Sequence, residues 1–101
     1  MELKIREEKK DNVVELHLEG EVDVYTAPHL KKKLYTLMKE GHSVVVSLED
    51  VNYMDSTGLG VFIGALKQAN SGKGSIQLRS LQPRIQRLFE ITGLKEVMDI
   101  K

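Results

Sequence analysis

Not one of the 101 residues is a cysteine. A disulfide framework and a thiolate metal site are thereby excluded, and a reducing cytoplasm is the natural home of such a chain. Nor does either charge prevail: fifteen basic and fifteen acidic residues leave a formal net charge of zero, a balance that favours neither nucleic acid nor an anionic membrane. The N-terminal stretch MELKIREEKKDN is charged, and no apolar run approaches the roughly 20 residues needed to span a bilayer. Internal repeats and low-complexity segments are also missing. A chain of 101 residues suits one domain over 1–101, able to close a single core without crosslinks.

What is present is a change of period along the chain. Leu3 and Ile5 alternate with polar neighbours, Val14, Leu16 and Leu18 do so again, and Asp11-Asn12 between them marks a hairpin turn. After Gly20 the spacing lengthens: Ala27, Leu30, Leu34, Leu37 and Met38 recur three or four apart, with Lys31, Lys32, Lys33 and Lys39 mostly opposite. Thr26 stands at the N-cap position of this amphipathic helix, Pro28 in its first turn, and Gly41 where a left-handed residue ends it. Val44, Val45, Val46 and Leu48 form a short central strand, followed by a polar segment from Glu49 to Met54 that reads as a loop. A second helix starts near Ser56, with Leu59, Phe62, Ile63 and Leu66 as its inner face. Asn70-Ser71-Gly72-Lys73-Gly74 ends it, Ile76 and Leu78 make a fourth strand, and Pro83 opens a third helix around Ile85, Leu88 and Phe89, stopped near Gly93. Leu94, Val97 and Ile100 form an apolar tail. This order predicts an α/β fold: a mixed sheet of about four strands, right-handed crossovers, and helices mainly on one face.

The junction Asp55-Ser56-Thr57-Gly58-Leu59-Gly60 carries two hydroxyls and a carboxylate at a helix start. One reading is a cap, since the first helical amides lack internal partners and Asp, Ser and Thr satisfy them. The other is a phosphoryl acceptor: a phosphate adds about −1.5 to −2 charges at the positive end of a helix dipole, which the fold tolerates while the surface changes sign. Gly58 and Gly60 either leave room for another protein to approach or allow tight packing of helix on sheet. A second acidic stretch, Gly20-Glu21-Val22-Asp23-Val24-Tyr25, ends the second strand at the same edge of the sheet and brings Asp23 toward Ser56.

Three other patterns point elsewhere and fail. Gly58 to Gly64 imitates a dinucleotide loop, but the expected polar loop separates it from its strand and no acidic residue ends the fourth strand. Ser71-Gly72-Lys73-Gly74-Ser75 imitates a phosphate loop, but Lys67 stands where the first glycine belongs and Gly74 where a hydroxyl does. His17, His29 and His42 lack metal spacing, and no serine sits in a nucleophile elbow. No catalytic constellation, cofactor or metal is expected.

Gly20-Glu21-Val22-Asp23-Val24-Tyr25-Thr26-Ala27-Pro28, then Asp50 to Gly60, then Arg87-Leu88-Phe89-Glu90-Ile91-Thr92-Gly93-Leu94 together resemble the bacterial anti-sigma factor antagonists of the STAS domain family, over nearly the whole chain. The resemblance implies a STAS-like single domain and a partner-switching function. The unmodified antagonist would bind an anti-sigma factor that is also a serine/threonine kinase, releasing the sigma factor. Phosphorylation would break the complex, and a PP2C-type phosphatase would restore it. By the same resemblance Ser56 is the leading acceptor and Thr57 the competing one. Asp23 would contribute to the kinase-facing surface, and Asp55, Gly58, Leu59 and Gly60 would surround the acceptor. A monomer or weak dimer is expected. The alternatives are a nucleotide-binding STAS module, for which the chain has no complete phosphate loop, and a scaffold subunit of the stressosome type.

Overall fold

The computed structural model describes residues 2–101. Strand β1 (Leu3–Lys10) turns through Asp11, at φ 53°, into β2 (Val13–Val22). Helix α1 (Ala27–Lys39), β3 (Ser43–Met54), α2 (Ser56–Asn70), β4 (Ser75–Arg79), α3 (Pro83–Ile91), a 3-10 turn (Leu94–Glu96) and β5 (Asp99–Ile100) follow. The sheet order is β1-β2-β3-β4-β5, with β1 antiparallel to β2 and the other neighbours parallel. Every crossover steps in the same direction along the sheet. Crossovers of one hand therefore put all three helices on one face.

Burial follows from that arrangement. Val14, Leu16 and Leu18 of β2, Val44, Val46 and Leu48 of β3, and Ile76 and Leu78 of β4 point into the core. The other face stays in solvent and is polar, its strands bridged by His17 to Asp50 at 3.0 Å and Arg79 to Glu15 at 3.7 Å. Ala27, Leu30, Leu34, Leu37 and Met38 of α1 are all buried, as their spacing requires. Phe62 of α2 meets Phe89 of α3 with ring centroids 6.1 Å apart and planes at 60°, a tilted pairing that fills the space between the two helices.

Four features depart from the sequence reading. The sheet has five strands: Ile100 of the apolar tail pairs with Leu78, while Val97 is exposed. A strand of two residues is too short to show a period. Second, Glu49 to Met54 is strand, not loop. Between His17/Glu19 and between Gly20/Glu21, β3 spends one residue more than β2, so its buried positions change from every second residue to Leu48, Val51 and Met54. Third, the inner face of α2 includes Val61 but not Ile63, because α2 packs against α1 as well as the sheet. Finally, the Thr26 side chain makes no cap bond to α1; it turns back to the end of β2.

Candidate functional site at the end of β2 and β3

The two central parallel strands end together. Val22 pairs with Met54, and the Asp55 amide donates to the Val22 carbonyl at 3.2 Å. One residue later α2 begins. Asp55 adopts an extended conformation, φ −107° and ψ −172°, and its Oδ1 accepts from the amides of Thr57 at 2.9 Å and Gly58 at 3.2 Å. The carboxylate is therefore the cap, and the two hydroxyls are spared that task. Ser56 and Thr57 are both exposed on the first turn.

The two glycines beside them have different roles. A Cβ on Gly58 would lie 2.7 Å from Val22 Cγ1, 2.8 Å from Met54 Cγ and 2.9 Å from the Val22 carbonyl oxygen, so this position is glycine for packing. A Cβ on Gly60 would meet nothing within 4 Å. Its face is open, and it borders a groove of about 300 Å³ together with Thr57, Val61, Pro28, Lys31 and Tyr35. Leu59 is buried in the core.

Asp23 lies beneath this surface rather than on it, with 3% of its area exposed. Its Oδ1 accepts from the amides of Tyr25 at 2.8 Å and Thr26 at 3.0 Å, while its own amide donates to Thr26 Oγ1 at 3.0 Å. Thr26 Oγ1 in turn donates to the Glu21 carbonyl at 2.8 Å. Asp23 Oδ2 is buried and has no protein partner among the described residues. The lock fixes a tight turn that pushes Val24 and Tyr25 into solvent, 56% and 79% exposed. Both residues lie within the first family-like motif, but the sequence reading gives them no role; their apolar character inside a loop is the signal that could have marked them.

On the α1 side of the groove, Tyr35 donates its hydroxyl to the Val61 carbonyl at 2.8 Å, and the Lys31 ammonium sits 5.7 Å from the Tyr35 ring centroid. Burial pushes the Tyr35 phenol above its ordinary pKa of 10.0. Of the three histidines, His17 bonds Asp50 and His42 approaches Glu40. His29 lines a separate groove on α1. Among the described residues no histidine hydrogen-bonds Ser56 or Thr57. Among the described residues no group of three or more acidic or histidine side chains could hold a metal ion, and no helix is long and apolar enough to cross a membrane.

Comparison with known proteins bears on the chain as a whole. The family model for the STAS domain matches residues 4–101. The anti-sigma-B factor antagonist of Bacillus subtilis is 44% identical over 100 residues, covering 99% of this chain and 92% of the relative. That of Staphylococcus epidermidis is 45% identical over 101 residues, covering 99% and 94%. Among solved structures, the Bacillus anti-sigma factor antagonist SpoIIAA superposes with a TM-score of 0.81 in its unphosphorylated form, at 23% identity, over 97% of this chain and 88% of its own. Its phosphorylated form superposes at 0.76, also at 23% identity, over 97% and 91%. These two likenesses speak for the fold.

Proposed function

The chain belongs to the STAS domain family, and on that premise we propose that it is an anti-sigma factor antagonist switched by phosphorylation at the start of α2. In its unmodified form it binds an anti-sigma factor kinase over the surface around Ser56, and the sigma factor is released. The kinase then transfers the γ-phosphoryl group of ATP: the Ser56 Oγ–P bond forms, the bond to the ADP oxygen breaks, and the hydroxyl proton leaves to a base on the kinase. Thr57 is the competing acceptor. A PP2C-type phosphatase hydrolyses the phosphoester and restores binding.

The observation that carries this reading is the exposure of both hydroxyls on a helix turn whose Thr57 and Gly58 amides are already taken. Asp55 Oδ1 occupies the Thr57 and Gly58 amides, so a phosphate on Ser56 finds a carboxylate next to it where two of the helix's first donors would otherwise be free. The dianion is only partly compensated within the chain, by the positive end of the helix dipole. Inside a protein interface such a charge is costly, and weakening a complex from nanomolar to micromolar requires only about 4 kcal/mol. The scaffold need not change. The likeness of this fold to SpoIIAA in both phosphorylated and unphosphorylated form supports that economy.

The test is direct. Incubated with its cognate anti-sigma factor kinase and ATP, the chain should gain the mass of one phosphate, and Ser56→Ala should abolish the gain, or Thr57→Ala if the second hydroxyl is the acceptor. Labelling that survives the double substitution overturns the reading.

A further inference from the structure

The turn 23–26 is an unusual place to find two large apolar side chains in solvent. Val24 and Tyr25 touch little of their own chain, yet the backbone that carries them is held by four hydrogen bonds among Glu21, Asp23, Tyr25 and Thr26. A loop with no role would be expected to bury or lose such residues; this one presents them rigidly. Presentation on a fixed backbone reduces the ordering cost of association, and a tyrosine brings large area with few rotatable bonds.

Distance decides what the pair faces. Val24 and Tyr25 follow Val22 by two and three residues, Ser56 follows Met54 by two, and Val22 and Met54 are paired neighbours. Adjacent strands lie about 4.8 Å apart. A protein interface of ordinary size covers about 800 Å² on each partner, a disc of about 16 Å radius. A kinase centred on the hydroxyl of Ser56 therefore covers this turn.

We propose that Val24 and Tyr25 form a preorganised anchor that inserts into an apolar recess of the kinase and sets which anti-sigma factor the chain recognises. The inference rests on the function proposed above and adds to it a specificity-determining contact separate from the acceptor. Asp23 acts through the turn as a positioning residue. The recess must take an aromatic ring and an isopropyl group. The Tyr25 hydroxyl lies at its rim, so that Phe can replace Tyr.

The experiment is a titration of the unphosphorylated chain against its cognate anti-sigma factor kinase, with Ser56 labelling followed in parallel. Tyr25→Ala should weaken binding about 30-fold, the size of an interfacial hot spot. It should raise the KM for the chain as substrate with kcat unchanged, and leave thermal unfolding of the free chain where it was. Tyr25→Phe should bind within about twofold of the parent, a phenol hydroxyl at a wet rim contributing little. Unaltered affinity of Tyr25→Ala for a kinase that binds and labels the parent overturns the anchor alone. If instead Tyr25→Ala dissolves a homodimer of the free chain and leaves kinase affinity intact, a second copy is the occupant and the proposal falls. If the parent itself neither binds nor is labelled, the function proposed above falls and the anchor with it.

Discussion

The amide of Asp55 donates to the carbonyl of Val22 at 3.2 Å, so the end of β2 and the cap of α2 are fixed to one another by the backbone. Two segments more than thirty residues apart in the sequence thus share one small surface: the turn that Asp23 locks and the helix start that Asp55 caps. The spacing of the hydroxyls from the turn is set by this sheet geometry.

Gly58→Ala should destabilise the protein. The new methyl group would meet the Val22 carbonyl oxygen at 2.9 Å, a backbone atom that cannot rotate away. Overpacking of this kind costs about 1–3 kcal/mol, against roughly 1 kcal/mol regained from the better helix propensity of alanine. Gly60→Ala, in open space, should keep that gain and unfold at higher urea. Urea titration of the two variants should move the midpoints in opposite directions.

Asp55→Ala removes the acceptor of two amides and should cost about 1 kcal/mol, the usual loss for a helix cap. Asp55→Asn keeps an oxygen in place and should cost a few tenths at most, since Asn and Asp cap about equally well. Comparable losses in the two variants, read by thermal unfolding at matched ionic strength, would show that the charge and not the cap matters.

Ser56→Glu should leave the circular dichroism spectrum and melting behaviour unchanged, the side chain being exposed on the first turn. In a pull-down with the cognate kinase it should be retained far less than the parent. Ser56→Ala should be retained but not labelled. Equal retention of Ser56→Glu and parent would remove the electrostatic basis of the proposed switch.

Tyr35 should make stability fall in alkaline solution. Burial raises its pKa in the folded chain above 10.0, so between that value and the folded one the native state holds a proton that the unfolded state has lost. The phenol's contribution is complete below pH 10 and disappears as pH rises through the folded pKa. Tyr35→Phe removes this titration and the bond to Val61, so the stability gap between parent and variant should shrink as urea unfolding is repeated from pH 8 to pH 11.

Much of this molecule is written in local periodicity. The five buried positions of α1, the hairpin at Asp11, the left-handed Gly41 after α1 and the start of α2 at Ser56 all follow from spacing and turn chemistry within a few residues. Such patterns are legible because a helix or strand that buries one face must repeat at its own period. The candidate site was legible to the same extent: hydroxyls at a helix start, and an acidic segment at the same sheet edge.

The sequence by itself determined the order of elements, the inner face of α1 and the presence of two alcohols at the head of α2. Only the tertiary structure decided that Asp55 caps while Ser56 and Thr57 stand free, that Gly58 is packed and Gly60 open, and that Asp23 lies buried beneath an exposed Tyr25. It also decided that β3 runs on to Met54, through extra residues that disguise it as a loop. Those outcomes depend on which neighbour fills the adjacent space: Val22 and Met54 against Gly58, β2 against the bulged β3, and Leu78 against Ile100. A periodicity records the demands of one element on its own residues, and carries no term for the shape of the element it will meet.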